Sequence, residues 1–382
     1  MAHLSFMSLK KEKGCLKMAI NTASFVYVSC NLLIPKTIET ELLPLRSNPK
    51  IGVILAQIGT PERPEAKPVR SYLRRFLSDR RIVDTNPLVW QPVLRGIILR
   101  TRPRKSAQLY RQIWSEEGSP LLVYSQRQQS GLQGRLGPRF QVELGLAYSE
   151  NSIMRAMREF EQAGIGRVLI VPLFPQYSST TTASVYDQAC FAALGRNSSR
   201  GPALKRYVPA MRFVEPYYCD QGYISVMKAH LLRCMKQLDR EPDQIVLSFH
   251  GIPKRYADTG DPYPEQCKET GRLLAEAMGW SQDSWQIAFQ SRFGPEEWIG
   301  PSTEKVIGSL PERGIANPLV FAPGFVTDCL ETLYELDIEG RGHFGASGGN
   351  ADQYQYAPCL NDQPEWLDFL AGLVERNVGG WS

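Results

Sequence analysis

The stretch Gln244-Ile245-Val246-Leu247-Ser248-Phe249-His250-Gly251-Ile252-Pro253 decides the fold of this chain. Ile, Val, Leu and Phe in a short apolar block read as a buried strand, and Gly251 and Pro253 end it. In an open α/β sheet, ligands bind beyond the carboxyl ends of the strands. His250, one of only four histidines, stands at that end. A neutral imidazole there can accept a proton or bind a transition metal.

Working outward, this block is one of four landmarks that recur in the same order in each half. The first is a strand ending in Gly-x-Pro: Ile51 to Pro61, then Ile245 to Pro253. A short apolar run follows, residues 141–148 and then 285–289. The third is a strand closing on Pro-x-Phe: Arg167-Val168-Leu169-Ile170-Val171-Pro172-Leu173-Phe174, then Leu319-Val320-Phe321-Ala322-Pro323-Gly324-Phe325. The fourth is Pro-x-x-x-Asp-Gln, at Pro216 to Gln221 and Pro358 to Gln363. Helical patterns lie between them, at 151–163 and 264–278, and Asp220 and Asp362 read as helix N-caps. Strands alternating with helices imply parallel sheets with right-handed crossovers. The expected architecture is two doubly wound α/β domains related by internal duplication, about 51–218 and 219–374, facing each other across a cleft, with a tail at 375–382.

The totals agree with this. A chain of 382 residues suits two domains, and 43% hydrophobic content supplies their cores. The net charge of +5 comes from mixed charges without a long Lys/Arg run, which is not a nucleic-acid signature. It would favour an acidic ligand or an anionic membrane surface. The eight cysteines are scattered, with no C-x-x-C pair, which speaks against a zinc site or a disulfide framework and for reduced cytosolic thiols. No run of 18 apolar residues exists to span a membrane as a helix.

Residues 1–50 read as a leader. Lys10, Lys11, Lys13 and Lys17 precede a semi-apolar segment, 19–35, broken by Asn21, Thr22, Ser24, Ser29 and Asn31. A secretory signal would be more uniformly apolar, so disorder is expected, or a start placed too early with Met18 as the alternative. Residues 62–120 form an insert after the first strand, rich in arginine (Arg70, Arg74, Arg75, Arg80, Arg81, Arg95, Arg100, Arg102, Arg104) mixed with apolar residues. It opens with an amphipathic helix bearing Val69, Leu73, Phe76 and Leu77. It is either a solvated basic face or a lip over the cleft, apolar inside and cationic at its rim, suited to a flat apolar ligand with carboxylates.

A second constellation follows the third strand of the second half, Thr327-Asp328-Cys329-Leu330-Glu331-Thr332-Leu333-Tyr334-Glu335. Asp328 and Glu331 fit a capping box. Yet Asp328, Glu331 and Glu335 also share one helix face, where like charges repel unless a cation visits. The duplication places this helix and His250 in one cleft. Imidazole plus carboxylate suits Fe(II), Zn(II) or Co(II) better than Mg(II), and it suits proton removal. The hydroxyls in Tyr177-Ser178-Ser179-Thr180-Thr181-Thr182 are caps or a donor wall, and Arg102, Tyr110 and Ser119 offer a similar choice. Asp261-Pro262-Tyr263-Pro264 reads as a rigid turn. In Gln290-Ser291-Arg292-Phe293-Gly294-Pro295 with Trp298, the indole is core or cleft wall. His3, His230 and His343 read as surface residues and Cys329 as a small buried side chain.

These segments resemble the ferrochelatases, which insert Fe(II) into a porphyrin at the end of heme synthesis. The resemblance runs from about 51 to 375. It rests on Ser248-Phe249-His250-Gly251-Ile252-Pro253, Gly260-Asp261-Pro262-Tyr263-Pro264, Gln290-Ser291-Arg292-Phe293-Gly294-Pro295 with Trp298-Ile299-Gly300-Pro301, Phe325-Val326-Thr327-Asp328-Cys329-Leu330-Glu331-Thr332-Leu333-Tyr334-Glu335-Leu336 and Phe174-Pro175-Gln176-Tyr177-Ser178. It implies two chelatase-type, Rossmann-like domains and a lyase acting on protoporphyrin IX and Fe(II). His250 and Glu331 would be the catalytic pair and metal site, with Asp328 and Glu335 as an acidic row behind them. Ile58, Tyr177 and Trp298 would line the porphyrin pocket, and Arg102, Tyr110 and Ser119 would lie near its propionates. Leu77-Ser78-Asp79-Arg80-Arg81-Ile82-Val83 looks like the bacterial protoporphyrin type. The implied setting is cytoplasmic, with peripheral membrane contact and porphyrin hand-over from the upstream oxidase left open.

Three departures stand out. Cys329 replaces a histidine of some relatives. Ala147-Tyr148 replaces an Arg-Tyr pair. Ser179 and the ending Val378-Gly379-Gly380-Trp381-Ser382 lack the cysteines that relatives with a [2Fe–2S] cluster carry, so no cluster is expected. Competing readings are a cobalt or nickel chelatase for another tetrapyrrole and a non-catalytic porphyrin- or heme-binding protein.

Overall fold

The computed structural model describes residues 9–12, 15–18, 48–150, 152–198 and 201–381. It divides into two units, Met1–Pro44 and Leu45–Ser382. In the first, strands Leu9–Glu12 and Cys15–Met18 pair antiparallel with Leu9 opposite Met18. The rest of the leader up to residue 47, for which the sequence suggests disorder, lies outside the described residues.

The second unit holds two parallel four-stranded sheets. The first is built from β1 (Ile51–Gln57), β2 (Phe140–Leu146), β3 (Arg167–Pro172) and β4 (Ala210–Phe213), in the order β2-β1-β3-β4. The second is built from β5 (Gln244–His250), β6 (Trp285–Gln290), β7 (Pro318–Phe321) and β8 (Gln355–Tyr356), in the order β6-β5-β7-β8. The two orders are the same permutation, which is what the repeated landmarks require. Every residue of β1 is buried, as are Gln244 to Phe249 of β5, and only His250 at the end of β5 is half-exposed. Central strands covered by helices on both faces need this unbroken apolar character.

The helices are α1 (Ala66–Leu77), α2 (Pro87–Val93), α3 (Leu99–Ile113), α4 (Pro120–Leu136), α5 (Ile153–Gln162), α6 (Thr182–Leu194), α7 (Gln221–Met235), α8 (Lys254–Asp258), α9 (Tyr263–Met278), α10 (Thr303–Ser309), α11 (Leu330–Thr332), α12 (Gly340–Ala346) and α13 (Pro364–Asn377). A π-helical turn, Leu94–Ile98, joins α2 to α3. Asp220 caps α7 through Gly222 N, as its sequence suggests. Asp362 does not cap α13: the cap position falls one residue later, at Gln363, because Pro364 takes the first helical turn. His230 is no surface residue. Its position on the inward face of α7 leaves it 2% exposed, bonded to Pro358 O and to the amide of Gln363, both at 2.7 Å.

The insert forms three helices, α1, α2 and α3. Val69, Tyr72 and Leu77 bury one side of α1, with Leu73 and Phe76 partly covered. In contrast, α2 buries no residue, and Leu88 (86%), Val89 (61%) and Ile97 (60%) stand exposed.

The halves share one apolar core, which includes Ile51, Val53 and Leu169 from one and Ile245, Phe249 and Trp366 from the other. Polar ties fix them further. Gln176 Nε2 donates to Thr270 at 2.9 Å and Tyr177 N to Gln266 at 2.7 Å. The Asp261 carboxylate accepts from the Ser178 hydroxyl (2.9 Å), Ser179 N (2.7 Å) and the Ser179 hydroxyl (2.8 Å). The hydroxyls that the sequence leaves as caps or donors are thus occupied, in part, by a carboxylate of the other half.

Candidate active site

β5 delivers His250 to its carboxyl end, where Gly251 breaks the strand. The imidazole Nδ1 lies 2.6 Å from Gly251 O. A carbonyl only accepts, so in the neutral ring Nδ1 carries the proton and Nε2 keeps its lone pair. Gly251 N in turn donates to Gln290 O at 2.8 Å. A Cβ on Gly251 would lie 2.9 Å from that oxygen and 3.1 Å from the Trp298 ring, so only glycine fits. Trp298 and Phe325 flank the imidazole, each with ring centroid at 6.5 Å. Trp298 is half-buried beside the histidine.

Glu331 sits on the single turn α11, which continues into a π-helical stretch, Leu333–Glu339. The capping box, one of the two readings for Asp328 and Glu331, is absent. Cys329 is the cap, and its N–H donates to the Thr332 hydroxyl at 2.9 Å. Asp328 therefore lies outside the helix and off the acidic face. It is 2% exposed, and its carboxylate accepts from Thr332 (3.0 Å), Tyr356 (2.8 Å), Cys359 N (3.3 Å) and Asn361 Nδ2 (2.7 Å). Four donors on a buried carboxylate make it an anchor for the start of the turn.

Glu331 and Glu335 remain neighbours. Burial, then the Glu331 charge, push the Glu335 carboxyl up to about 8. Ser291 donates its hydroxyl to Glu335 and opposes that rise. To do so Ser291 adopts a left-handed backbone, φ 65°, which costs a non-glycine residue about 1–2 kcal/mol.

One side chain ties the two sides together. Gln290 pairs with His250 across β6 and β5. Its Nε2 donates to Glu331 O at 2.6 Å and reaches Glu335 Oε2 at 3.5 Å. Its Oε1 accepts from Ser248, two residues before His250, at 2.8 Å. Gln290 and Ser291 stand in the motif Gln290-Ser291-Arg292-Phe293-Gly294-Pro295, but neither carries a role that the sequence alone reveals. The available signal is position, since they end and follow the strand next to the histidine.

The other expected residues are placed as follows. Tyr110 is buried, and burial, then Tyr72 and Glu331, hold its hydroxyl pKa well above the usual range. Ser119 is 3% exposed and shares a hydrogen bond with Thr60 at 2.8 Å. Arg102, exposed on α3, lies 4.5 Å over the Phe293 ring and so spans from the insert to the loop after β6. Ile58 and Tyr177 follow β1 and β3, in the other sheet, and both are half-buried. Among the described residues, no group of three or more His, Cys, Asp and Glu side chains could hold a metal ion.

The family profile described as Ferrochelatase matches residues 50–378. The chain belongs to the ferrochelatase family. Relatives include the ferrochelatase of Neisseria gonorrhoeae, 42% identical over 332 residues, covering 87% of this chain and 95% of the relative. Ferrochelatase 1 of Shewanella oneidensis is 42% identical over 338 residues, covering 87% and 98%. Among solved structures, SirB from Bacillus subtilis with Fe3+ shares 13% identity at a TM-score of 0.47, covering 69% of this chain and 92% of SirB. Membership of the ferrochelatase family agrees with the duplicated sheets and the resemblance noted in the sequence.

Proposed function

We propose that this chain is a ferrochelatase that inserts Fe(II) into protoporphyrin IX to give protoheme, the last step of heme synthesis. The observation that carries this reading is the linkage His250–Gln290–Glu331 at the carboxyl end of the second sheet. It joins an imidazole with an available Nε2 to a pair of carboxylates.

The chemistry needs such a set. A free-base porphyrin holds two N–H protons, and both leave as iron enters. His250 Nε2, the ring nitrogen that keeps its lone pair, is positioned to act as the base, whereas Glu335, its carboxyl pushed up to about 8, keeps its own proton near neutral pH. Imidazole and carboxylate also offer Fe(II) acceptable ligands in transit. Trp298 and Phe325 supply flat apolar walls beside the histidine. Walls that bend the ring would expose its nitrogen lone pairs, a distortion driven by binding energy elsewhere on the ring. Arg102 is the exposed cation suited to a propionate, whereas Tyr110 and Ser119 act from buried positions around Thr60.

We place the enzyme in the cytoplasm with its lip against a membrane. Leu88, Val89 and Ile97 are exposed beside Arg95 and Arg100, a combination that suits an anionic lipid surface. No helix among the described residues is long and apolar enough to cross a membrane. An apolar porphyrin could enter from that surface or directly from the oxidase that makes it.

The test is anaerobic. Protein, protoporphyrin IX and Fe(II) are mixed and free-base fluorescence is followed. Its catalytic loss with formation of heme is expected. Porphyrin binding without metal insertion would overturn the assignment.

A further inference from the structure

We infer that Gln290 is the positioning residue that sets the separation of His250 and Glu331, acting through its side-chain amide. The inference rests on the proposed ferrochelatase reaction. Gln290 is 6% exposed, and its carbonyl oxygen, Oε1 and Nε2 each meet a protein group. Its backbone carbonyl holds Gly251 N at 2.8 Å, and the carbonyl of Gly251 in turn orients the His250 ring at 2.6 Å. Its amide Nε2 holds the backbone carbonyl of Glu331 at 2.6 Å. One residue is therefore bonded to the peptide that aims the imidazole and to the peptide that carries the carboxylate.

The amide has a fixed sense. Ser248 donates its single hydroxyl proton to Gln290 Oε1 at 2.8 Å, so its contact with Thr303, also 2.8 Å, has Thr303 as donor. This Thr303–Ser248–Gln290 chain is buried at every member. With Oε1 occupied as an acceptor, Nε2 must point at Glu331. Flipping the amide would set two acceptors, Oε1 and Glu331 O, against each other. Exchange for a carboxylate would do the same, unless that carboxyl were protonated.

Three full-length proteins test this: wild type, Gln290→Leu and Gln290→Glu. Each is assayed for protoporphyrin binding, for kcat and KM with Fe(II), and across pH. Gln290→Leu should lower kcat about tenfold or more, because small misplacements of reacting groups cost that much, while porphyrin KM changes less than about twofold. Gln290→Glu should be similarly slow at high pH and regain rate relative to wild type as pH falls, since the protonated carboxyl can donate to Glu331 O. A structural role alone would move the rate without this pH-dependent rescue. Gln290→Leu with wild-type kcat would overturn the inference. If that variant does not fold, a mutant-to-wild-type rate ratio for Gln290→Glu that is flat with pH would do so. Absence of iron insertion by the wild type would instead defeat the proposed function and is read separately.

Discussion

The indole of Trp298 lies 6.5 Å from the imidazole of His250, tilted by 47°. Backbone bonds from Lys254 N to Glu297 O (2.8 Å) and Ile299 N to Ile252 O (3.1 Å) hold the Trp298 loop against the segment after His250. Gly251 fills the gap between them. Gly251→Ala should force Trp298 and Gln290 apart, destabilising the protein by about 1–3 kcal/mol, as overpacking does. It should also cut turnover about tenfold or more, since the pair is then misaligned. Thermal melts and initial rates check this, and a wild-type rate would contradict it.

Glu335 has an ordinary pKa of 4.5 and one of about 8 in the folded protein. Between those values the native state holds a proton that the unfolded chain has released. Stability contributed there is present below about 4.5 and is lost as pH rises through about 8. Glu335→Gln has no such proton, so its melting temperature relative to wild type should rise steadily from about pH 5 to about pH 9. A constant difference would contradict the raised carboxyl.

His230 carries the opposite sign. Burial, the largest cause, lowers its pKa below the ordinary 6.5. Its stabilising contribution is therefore present above 6.5 and is lost as pH falls toward the folded value. The gap in melting temperature between wild type and His230→Gln should narrow in acid. A gap that ignores pH would show that the neutral imidazole is not required.

Asp261 holds three donors from the other half, and its Oδ1 also accepts from Tyr263 N at 3.1 Å. Asp261→Ala leaves these donors unpaired and should cost about 1–3 kcal/mol in urea denaturation. A change below about 0.5 kcal/mol, the usual scatter of surface substitutions, would contradict its role as a tie.

Much of this architecture is legible in the sequence because buried parallel strands write themselves as apolar blocks. Ile51–Gln57 and Gln244–His250 do so, and their shared flanking pattern announces the duplication. The edge strands Ala210–Phe213 and Gln355–Tyr356 are short and half-buried, and carry no such signature. His250 is found because it ends a block. Asp328 misleads because Asp-x-x-Glu matches a capping pattern, whereas the cap is settled by Thr332, and Asp328 is drawn inward by Tyr356 and Asn361, distant in sequence. His230 misleads in the same way, since its partners Pro358 and Gln363 lie on another element. Gln290 gains its role from contacts that only the folded sheet supplies.

The central claim is that His250 and Glu331 act as one unit on the metal–porphyrin exchange. Anaerobic turnover of protoporphyrin IX with Fe(II) by wild type, His250→Ala, Glu331→Gln and the double variant measures it directly. The account expects each single change to remove nearly all turnover while porphyrin still binds, and the double change to add little more, as for groups that work together. Near-normal turnover by His250→Ala, or losses that simply multiply, would contradict it.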